Sequence, residues 1–291
     1  MNTPNVTVVR ACLRGGAGGS PTAVVLEDDA EGPPPGDDER RRIPLARGTS
    51  HAVYVRHAGD ATELRFFTAA GELPACGHGT VAALALLAAR HGGGSYRAVL
   101  RAGGRVFTGR AERAGELFTA AFDPGPVNLR EPTAQERALV LAALGLGPAE
   151  AGPDVRVAGV GRERVLVPVP TRAALAALRP DLDRLKAACD RFGLLGAYVH
   201  SPPSPQGALA ARMFAPSIGV AEDLANANST ACLAAHLAGR GVQRIAVDMG
   251  DALDSPATIT ATATATAGPD LRIELGGTAR VLTEHPARRL P

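Results

Sequence analysis

Tryptophan is absent from the 291 residues, and the aromatic share is only 3%. Stacking platforms for nucleobases or large planar ligands are poorly supplied, so the expected ligand is small and polar. Excess charge is missing too: 31 basic residues face 29 acidic ones, the net charge is +2, and no basic run is longer than Arg40-Arg41-Arg42. Nothing here builds the positive field that nucleic acid requires, and no nucleic-acid partner is expected. Long apolar runs are lacking as well. The longest, Val81 to Ala89, falls far short of the roughly 20 residues of a membrane span, and no basic-then-apolar leader opens the chain. The expectation is a cytoplasmic protein without membrane contact. Cysteine is sparse: Cys12, Cys76, Cys189 and Cys232 form no CxxC pair, and a reducing setting argues against disulfides. Cys76 and His78 lie two apart, but zinc wants three or four ligands and no second such pair exists, so no metal is expected.

What remains is an ordinary globular composition, 45% hydrophobic and 21% charged. A chain of this length exceeds what one core usually serves, so two lobes are expected, residues 1–125 and 126–278, with a final strand near 279–285 able to return to the first. Val6 to Val9 and Thr22 to Leu26 read as strands around the loop Arg14 to Pro21, whose glycines carry no P-loop ending. Residues 31–42 are rich in proline and charge and read as a surface loop. Ser50 to Val55 and Leu64 to Thr68 alternate as strands, and Gly79 to Arg90 reads as a helix buried on all sides.

The second half repeats this grammar. Arg65-Phe66-Phe67, an acidic loop with Glu72, and Cys76 to Leu84 match Arg212-Met213-Phe214, a loop with Glu222-Asp223, and Asn228 to Leu237. Arg65 to Arg212 is 147 positions and Thr80 to Thr230 is 150, so a three-residue difference in loop length aligns them. Repetition at half the chain length predicts duplicated, pseudo-symmetric lobes. Thr133 to Leu144 and Thr171 to Phe192 offer amphipathic helices, and Arg164 to Val169 and Ala197 to His200 offer strands. Ile245 to Met249, Thr258 to Thr266, Leu271 to Leu275 and Ala279 to Thr283 read as further strands.

Two buried helices that open in small polar turns present free N–H groups and positive dipole ends, which suit a substrate carboxylate. Plain capping by Asn228 or Ser229 explains the same residues without a ligand. Cys76 at a helix start can hold a thiolate and move protons, and His78 titrates near neutrality. A lone cysteine or histidine is equally at home as a packed core residue.

Three blocks carry a resemblance: Gly18 to Leu26, Phe67 to Thr80, and Arg212 to Asp223, with the tail Gly276-Gly277-Thr278-Ala279. Together they resemble the PhzF-like family, which shares the diaminopimelate-epimerase fold. The resemblance implies an α+β protein of two pseudo-symmetric lobes, each a curved, mostly antiparallel sheet around a central helix, with the active site between them. It implies an isomerase that uses no cofactor and moves a proton on a small cyclic or amino-acid-like carboxylate. The family's Gly-His histidine falls on His78 and its aspartate on Asp223. The following Pro-Ala-Thr-Gly-Ser reads here Leu224-Ala225-Asn226-Ala227-Asn228, so Asn228 replaces the substrate-binding serine. The glutamate of the family's Ser-Glu-Thr strand has become His51, and histidine can exchange a proton near neutral pH. Epimerases of this fold use two thiols; Cys76 matches the first, but the second would fall near Ala227, and Cys232 lies a turn too deep.

The sequence therefore predicts His51 or Cys76 as base, with His78 and Asp223 orienting or relaying. Gly19, Ser20, Gly77, Gly79, Thr80, Asn226, Asn228, Ser229 and Thr230 are the expected substrate contacts. The expected branch is specialised metabolism, similar to the PhzF-like isomerases of 4-alkylproline assembly in lincomycin and pyrrolobenzodiazepine pathways. The alternatives are an amino-acid racemase or epimerase, and a binding protein that kept the ligand site without the base. A homodimer is compatible with the sequence.

Overall fold

The computed structural model describes residues 5–29, 33–266 and 271–282. The chain divides into two compact units, one comprising residues up to Phe122 and from Gly277 onward, the other Asp123–Gly276. The boundaries fall three residues before the expected 125/126 division and two before the expected 278. The expected strand Ala279 to Thr283 and the proposed return at 279–285 extend beyond the described residues from position 283.

The first unit runs β1 (Val6–Ala11), β2 (Ser20–Leu26), α1 (Asp37–Arg47), β3 (His51–Ala58), β4 (Ala61–Phe67), β5 (Glu72–Leu73), α2 (Gly77–His91), β6 (Ser95–Ala102), β7 (Arg105–Ala114) and β8 (Leu117–Phe122). The second runs β9 (Asn128–Arg130), α3 (Ala134–Leu144), α4 (Pro148–Ala151), β10 (Arg156–Gly159), β11 (Glu163–Pro168), α5 (Arg172–Ala177), α6 (Leu182–Phe192), β12 (Ala197–His200), β13 (Ala208–Ala215), β14 (Val220–Asp223), α7 (Ala227–Ala238), β15 (Arg244–Met249), β16 (Ala257–Ala265) and the start of β17 (Leu271–Val281), whose residues from Gly277 belong to the first unit. No described helix is long and apolar enough to cross a membrane.

Strand pairing shows the duplication directly. In the first unit β1–β2 is antiparallel, β2–β3 parallel, β3–β4 antiparallel, β4–β6 parallel, and β6–β7 and β7–β8 antiparallel. In the second, β10–β11, β11–β12, β12–β13, β13–β15, β15–β16 and β16–β17 follow the same succession of senses. Each unit also carries one short strand, β5 or β14, on the strand before its central helix. β17 pairs with β1 and with β8, which closes a ring of eight strands around α2.

The core helices are built from small residues because the surrounding strands leave little room. Every residue of α2 from Gly77 to Ala88 is buried, and the helix ends where Gly92 takes a left-handed φ of 73°. In α7 the run Ser229 to Leu237 is buried likewise.

One ion-pair device appears in both halves. Arg65 binds Glu72 at 2.6 and 2.8 Å and lies 5.0 Å over the Phe67 ring. Arg212 binds Glu222 at 2.7 and 3.0 Å and lies 4.8 Å over the Phe214 ring. The repeat read from the letters thus reproduces a contact, not only a helix pattern.

The structure corrects three local expectations. The segment read as a loop to residue 42 becomes helical from Asp37, and residues 31 and 32 lie outside the described residues. Acidic residues Asp37, Asp38 and Glu39 favour the first turn, Glu39 accepts from the Gly36 N–H at 3.3 Å, and Gly48 stops the helix at φ 61°. The helix expected over Thr171 to Phe192 is two, because Pro180 cannot continue α5; Asp181 then caps α6 by accepting from the Arg184 N–H at 3.0 Å. The two strands expected at Leu271 to Leu275 and from Ala279 are one, since β17 passes through Gly276-Gly277 unbroken.

Candidate active site

Three of the four expected catalytic residues come together in the first unit. Cys76 ends the chain's approach to α2 as its N-cap, with an extended backbone and a thiol that makes no capping bond. Its Sγ instead lies 3.3 Å from His78 Nε2. His51 opens β3, which pairs with β2 so that His51 stands opposite Thr22. Its Nδ1 lies 3.0 Å from the same His78 Nε2, and the two rings meet edge to face with centroids 4.4 Å apart. Ser50 Oγ sits 2.8 Å from His51 Nδ1 and completes a line of four polar groups. The sequence reading assigns Ser50 no role, although its place directly before His51 signals one.

Burial sets the protonation of this line. Cys76 and His78 are buried and His51 is half-buried. Burial first, and then the positive charge His78 can carry, push His51 down to about 3, so it stays a neutral imidazole through the physiological range. The expectation that His51 trades a proton near neutral pH is thereby revised. The unfolded chain takes that proton near 6.5 and the native site only near 3. The contribution of His51 to stability is therefore complete above about pH 6.5 and drains away as pH falls toward 3. Its ring proton resonances should stay flat between about pH 8 and 5; a titration midpoint near 6 would contradict this.

The neighbouring residues hold the line in place. Thr80 Oγ1 donates to the Cys76 carbonyl at 2.9 Å, tying the first turn of α2 together. A Cβ on Gly79 would lie 3.0 Å from Phe66 Cδ1 and 3.1 Å from Cys76 Sγ, so only glycine lets thiol and ring close over the helix start. Gly79→Ala is expected to displace the thiol by tenths of an ångström and to lower kcat by roughly tenfold or more while KM changes less, since a small misplacement of a reacting group is costly. Gly77 lies in the same first turn, at the positive end of the α2 dipole, and no acidic side chain occupies that turn. Gly19, at φ 76°, and buried Ser20 lead into β2; a Cβ on Gly19 would meet the Ala11 carbonyl at 2.7 Å, which gives this glycine a structural reason.

The remaining expected residues lie in the second unit. Asn226, not Asn228 or Ser229, caps α7: its Oδ1 accepts from the Ser229 N–H at 2.9 Å. Its Nδ2 donates to Asp223 Oδ2 at 2.8 Å, so Asp223 and Asn226 form one polar pair at the helix start. Ser229 and Thr230 are fully buried. The Thr230 hydroxyl donates to the Asn226 carbonyl at 3.1 Å and meets the Tyr198 hydroxyl at 2.9 Å; that of Ser229 points at Met213 Sδ, 3.5 Å away. Both hydroxyls are thus engaged inside the unit, whereas Asn228 is half-buried. Cys232 is fully buried and accepts from Arg164 Nη1 at 2.9 Å. By the 150-residue offset the position matching Cys76 is Asn226, and both are N-caps of the central helix. The second half therefore carries an amide where the first carries a thiol.

Comparison with known proteins agrees with this architecture. The profile of the PhzC-PhzF family, phenazine biosynthesis-like protein, matches residues 14–285. An uncharacterized isomerase, YddE, of Escherichia coli is 28% identical over 249 residues, 81% of this chain and 83% of that protein. The trans-2,3-dihydro-3-hydroxyanthranilate isomerase of Pseudomonas chlororaphis is 29% identical over 240 residues, 79% of this chain and 80% of that enzyme. The crystal structure of a PhzF-family phenazine biosynthesis protein from Bacillus anthracis superposes with a TM-score of 0.81 at 18% identity, covering 97% of this chain and 98% of that one. The fold expected from the resemblance is thus the fold observed, and this chain belongs to the PhzC-PhzF family of phenazine biosynthesis-like proteins as one of its isomerases.

Proposed function

We propose that this isomerase relocates a proton on a small cyclic or amino-acid-like carboxylate, with Cys76 as the group that takes the proton from carbon. The observation that carries this reading is the line Cys76 Sγ, His78 Nε2, His51 Nδ1, with steps of 3.3 and 3.0 Å. The thiol proton passes to the lone pair of His78 Nε2, leaving a thiolate beside the positive end of α2. The imidazolium so formed donates its Nε2–H to the neutral His51 Nδ1, which a charged His51 could not accept. The thiolate then removes a proton from the carbon next to the carboxylate or along a conjugated system. The electron pair shifts through the substrate, and a proton is returned at another carbon; none is gained or lost overall.

His51 therefore acts in this reading as an acceptor that steadies His78, because a base whose conjugate acid sits near 3 is too weak to remove a carbon-bound proton efficiently. The positive end of the α2 dipole at Gly77 and Gly79, where no acidic side chain stands, suits the substrate carboxylate. Asp223, Asn226 and Asn228 are proposed as further substrate contacts on the strength of the family resemblance. A role in specialised metabolism fits the relative that acts on trans-2,3-dihydro-3-hydroxyanthranilate.

The test is turnover in D₂O with that compound and with pyrroline and amino-acid carboxylates. Deuterium entering at carbon together with a changed ultraviolet spectrum supports bond relocation. Exchange with inversion and no spectral change would make the protein an epimerase. Binding without exchange would leave a ligand-binding protein and overturn the proposal.

A further inference from the structure

Sequence spacing gives Cys76 and His78 no third metal ligand, but the fold supplies one, His51, from the start of β3. Cys76 Sγ, His78 Nε2 and His51 Nδ1 all lie within 4.8 Å of one another. We propose that these three atoms form a binding site for a thiophilic divalent cation, Zn²⁺ being the best match, and that the ion switches the isomerase off by occupying the lone pairs used for proton transfer. The second clause rests on the function proposed above; the first does not.

The donor set selects the ion. Two imidazole nitrogens and one thiolate, with no carboxylate within the group, suit zinc and disfavour magnesium or calcium, which want oxygen. Zinc bonds of about 2.0–2.1 Å to nitrogen and about 2.3 Å to sulfur at a tetrahedral angle imply separations of about 3.3 Å between nitrogens and about 3.6 Å between nitrogen and sulfur. The present contacts are 3.0 and 3.3 Å. These two pairs therefore need to open by only about 0.3 Å, and Cys76 Sγ and His51 Nδ1, within 4.8 Å of each other, must settle at about 3.6 Å to receive the ion. Cys76 and His78 are buried while His51 is half-buried, so the group is held firmly on one side and reachable on the other. Three protein ligands leave a fourth position for water or an anion. Binding is balanced by release of the thiol proton: Zn²⁺ joins the sulfur as that proton leaves to solvent, and both imidazoles ligate in their neutral form. Ser50 Oγ, 2.8 Å from His51 Nδ1, competes for one of the three lone pairs and must turn away.

Cobalt(II) is the probe, because it takes the zinc geometry and reports it in absorbance. The intact protein titrated with Co²⁺ is expected to develop a thiolate charge-transfer band and strong tetrahedral visible bands at one equivalent, both displaced by Zn²⁺. Cys76→Ser is expected to lose the charge-transfer band. Cys76→Ser and His51→Ala should each weaken Zn²⁺ binding by more than about 100-fold, since loss of an outer-shell partner alone costs 10–100-fold. Cys189→Ser, which alters a thiol buried in the second unit's core, should keep the full spectrum. Ser50→Ala, which removes the competitor and no donor, should bind Zn²⁺ at least as tightly as the parent. No cobalt band, or a band that survives Cys76→Ser, overturns the site. A Zn²⁺-loaded protein with undiminished turnover overturns the switch while leaving the site. Absence of turnover on every carboxylate would strike the function above without touching the cobalt result.

Discussion

Cys76→Ala is expected to lower kcat by about 100- to 10,000-fold, the range that a positioned acid–base group supplies, with KM changed only a few-fold. The reason lies in what the side chain does and does not hold. Its sulfur makes no capping bond to α2, so its removal should not unravel the helix start; the Thr80 hydroxyl and N–H still tie that turn to the Cys76 carbonyl. What disappears is the atom 3.3 Å from His78 Nε2. Cys76→Ser restores the volume but not the acidity, and should recover little. His51→Ala should cost less than Cys76→Ala, since it removes the acceptor that steadies His78 and leaves thiol and imidazole in contact. Unchanged kcat in Cys76→Ala, with far-ultraviolet circular dichroism showing an intact fold, would overturn the assignment of Cys76 as the base.

Glu27→Ala is expected to destabilise the protein by about 3–5 kcal/mol, because it strands a buried guanidinium. Arg40 of α1 reaches inward to Glu27 at 2.6 Å, with both side chains more than nine-tenths buried. It lies 5.2 Å from the Tyr54 ring centroid and 5.7 Å from that of Phe67. Its remaining partner, Asp37 at 3.1 Å, is largely exposed and can replace little of the lost attraction. The double variant Glu27→Leu with Arg40→Met should be more stable than Glu27→Ala alone, since it removes the stranded charge and keeps the packing. Urea unfolding followed at equal denaturant slope checks the order; a double variant no better than the single one would contradict it.

The architecture was legible because it depends on repetition and on small residues. Arg65-Phe66-Phe67 and Arg212-Met213-Phe214 could be aligned as letters, and the matching ion pairs and ring contacts follow from that alignment. The central helices were legible because an Ala-rich apolar run has no solvent-facing stripe and must be enclosed. α1 was not, because its apolar content is low and one of its two buried residues, beside Pro44, is Arg40, which looks in sequence like any other charge. At the site, Cys76 and His78 were read together because they are two positions apart. That His51 meets the same nitrogen depends on β3 running parallel to β2, a pairing that local sequence does not specify. The low proton affinity of His51 was hidden for the same reason, since burial and a neighbouring charge are properties of the folded site. The cap of α7 was displaced by two or three residues from Asn228 and Ser229 because asparagine recurs at 226 and 228 and either could cap.

The two halves follow one plan yet differ at the residue that opens the central helix, sulfur in one and an amide in the other. An amide cannot lift hydrogen from carbon, so the function proposed above implies single-handed chemistry. Hydrogen should depart and come back on one side of the substrate plane, a stereochemically marked compound should keep its label on that side, and mixed light and heavy water should reveal some of the original hydrogen travelling with the molecule.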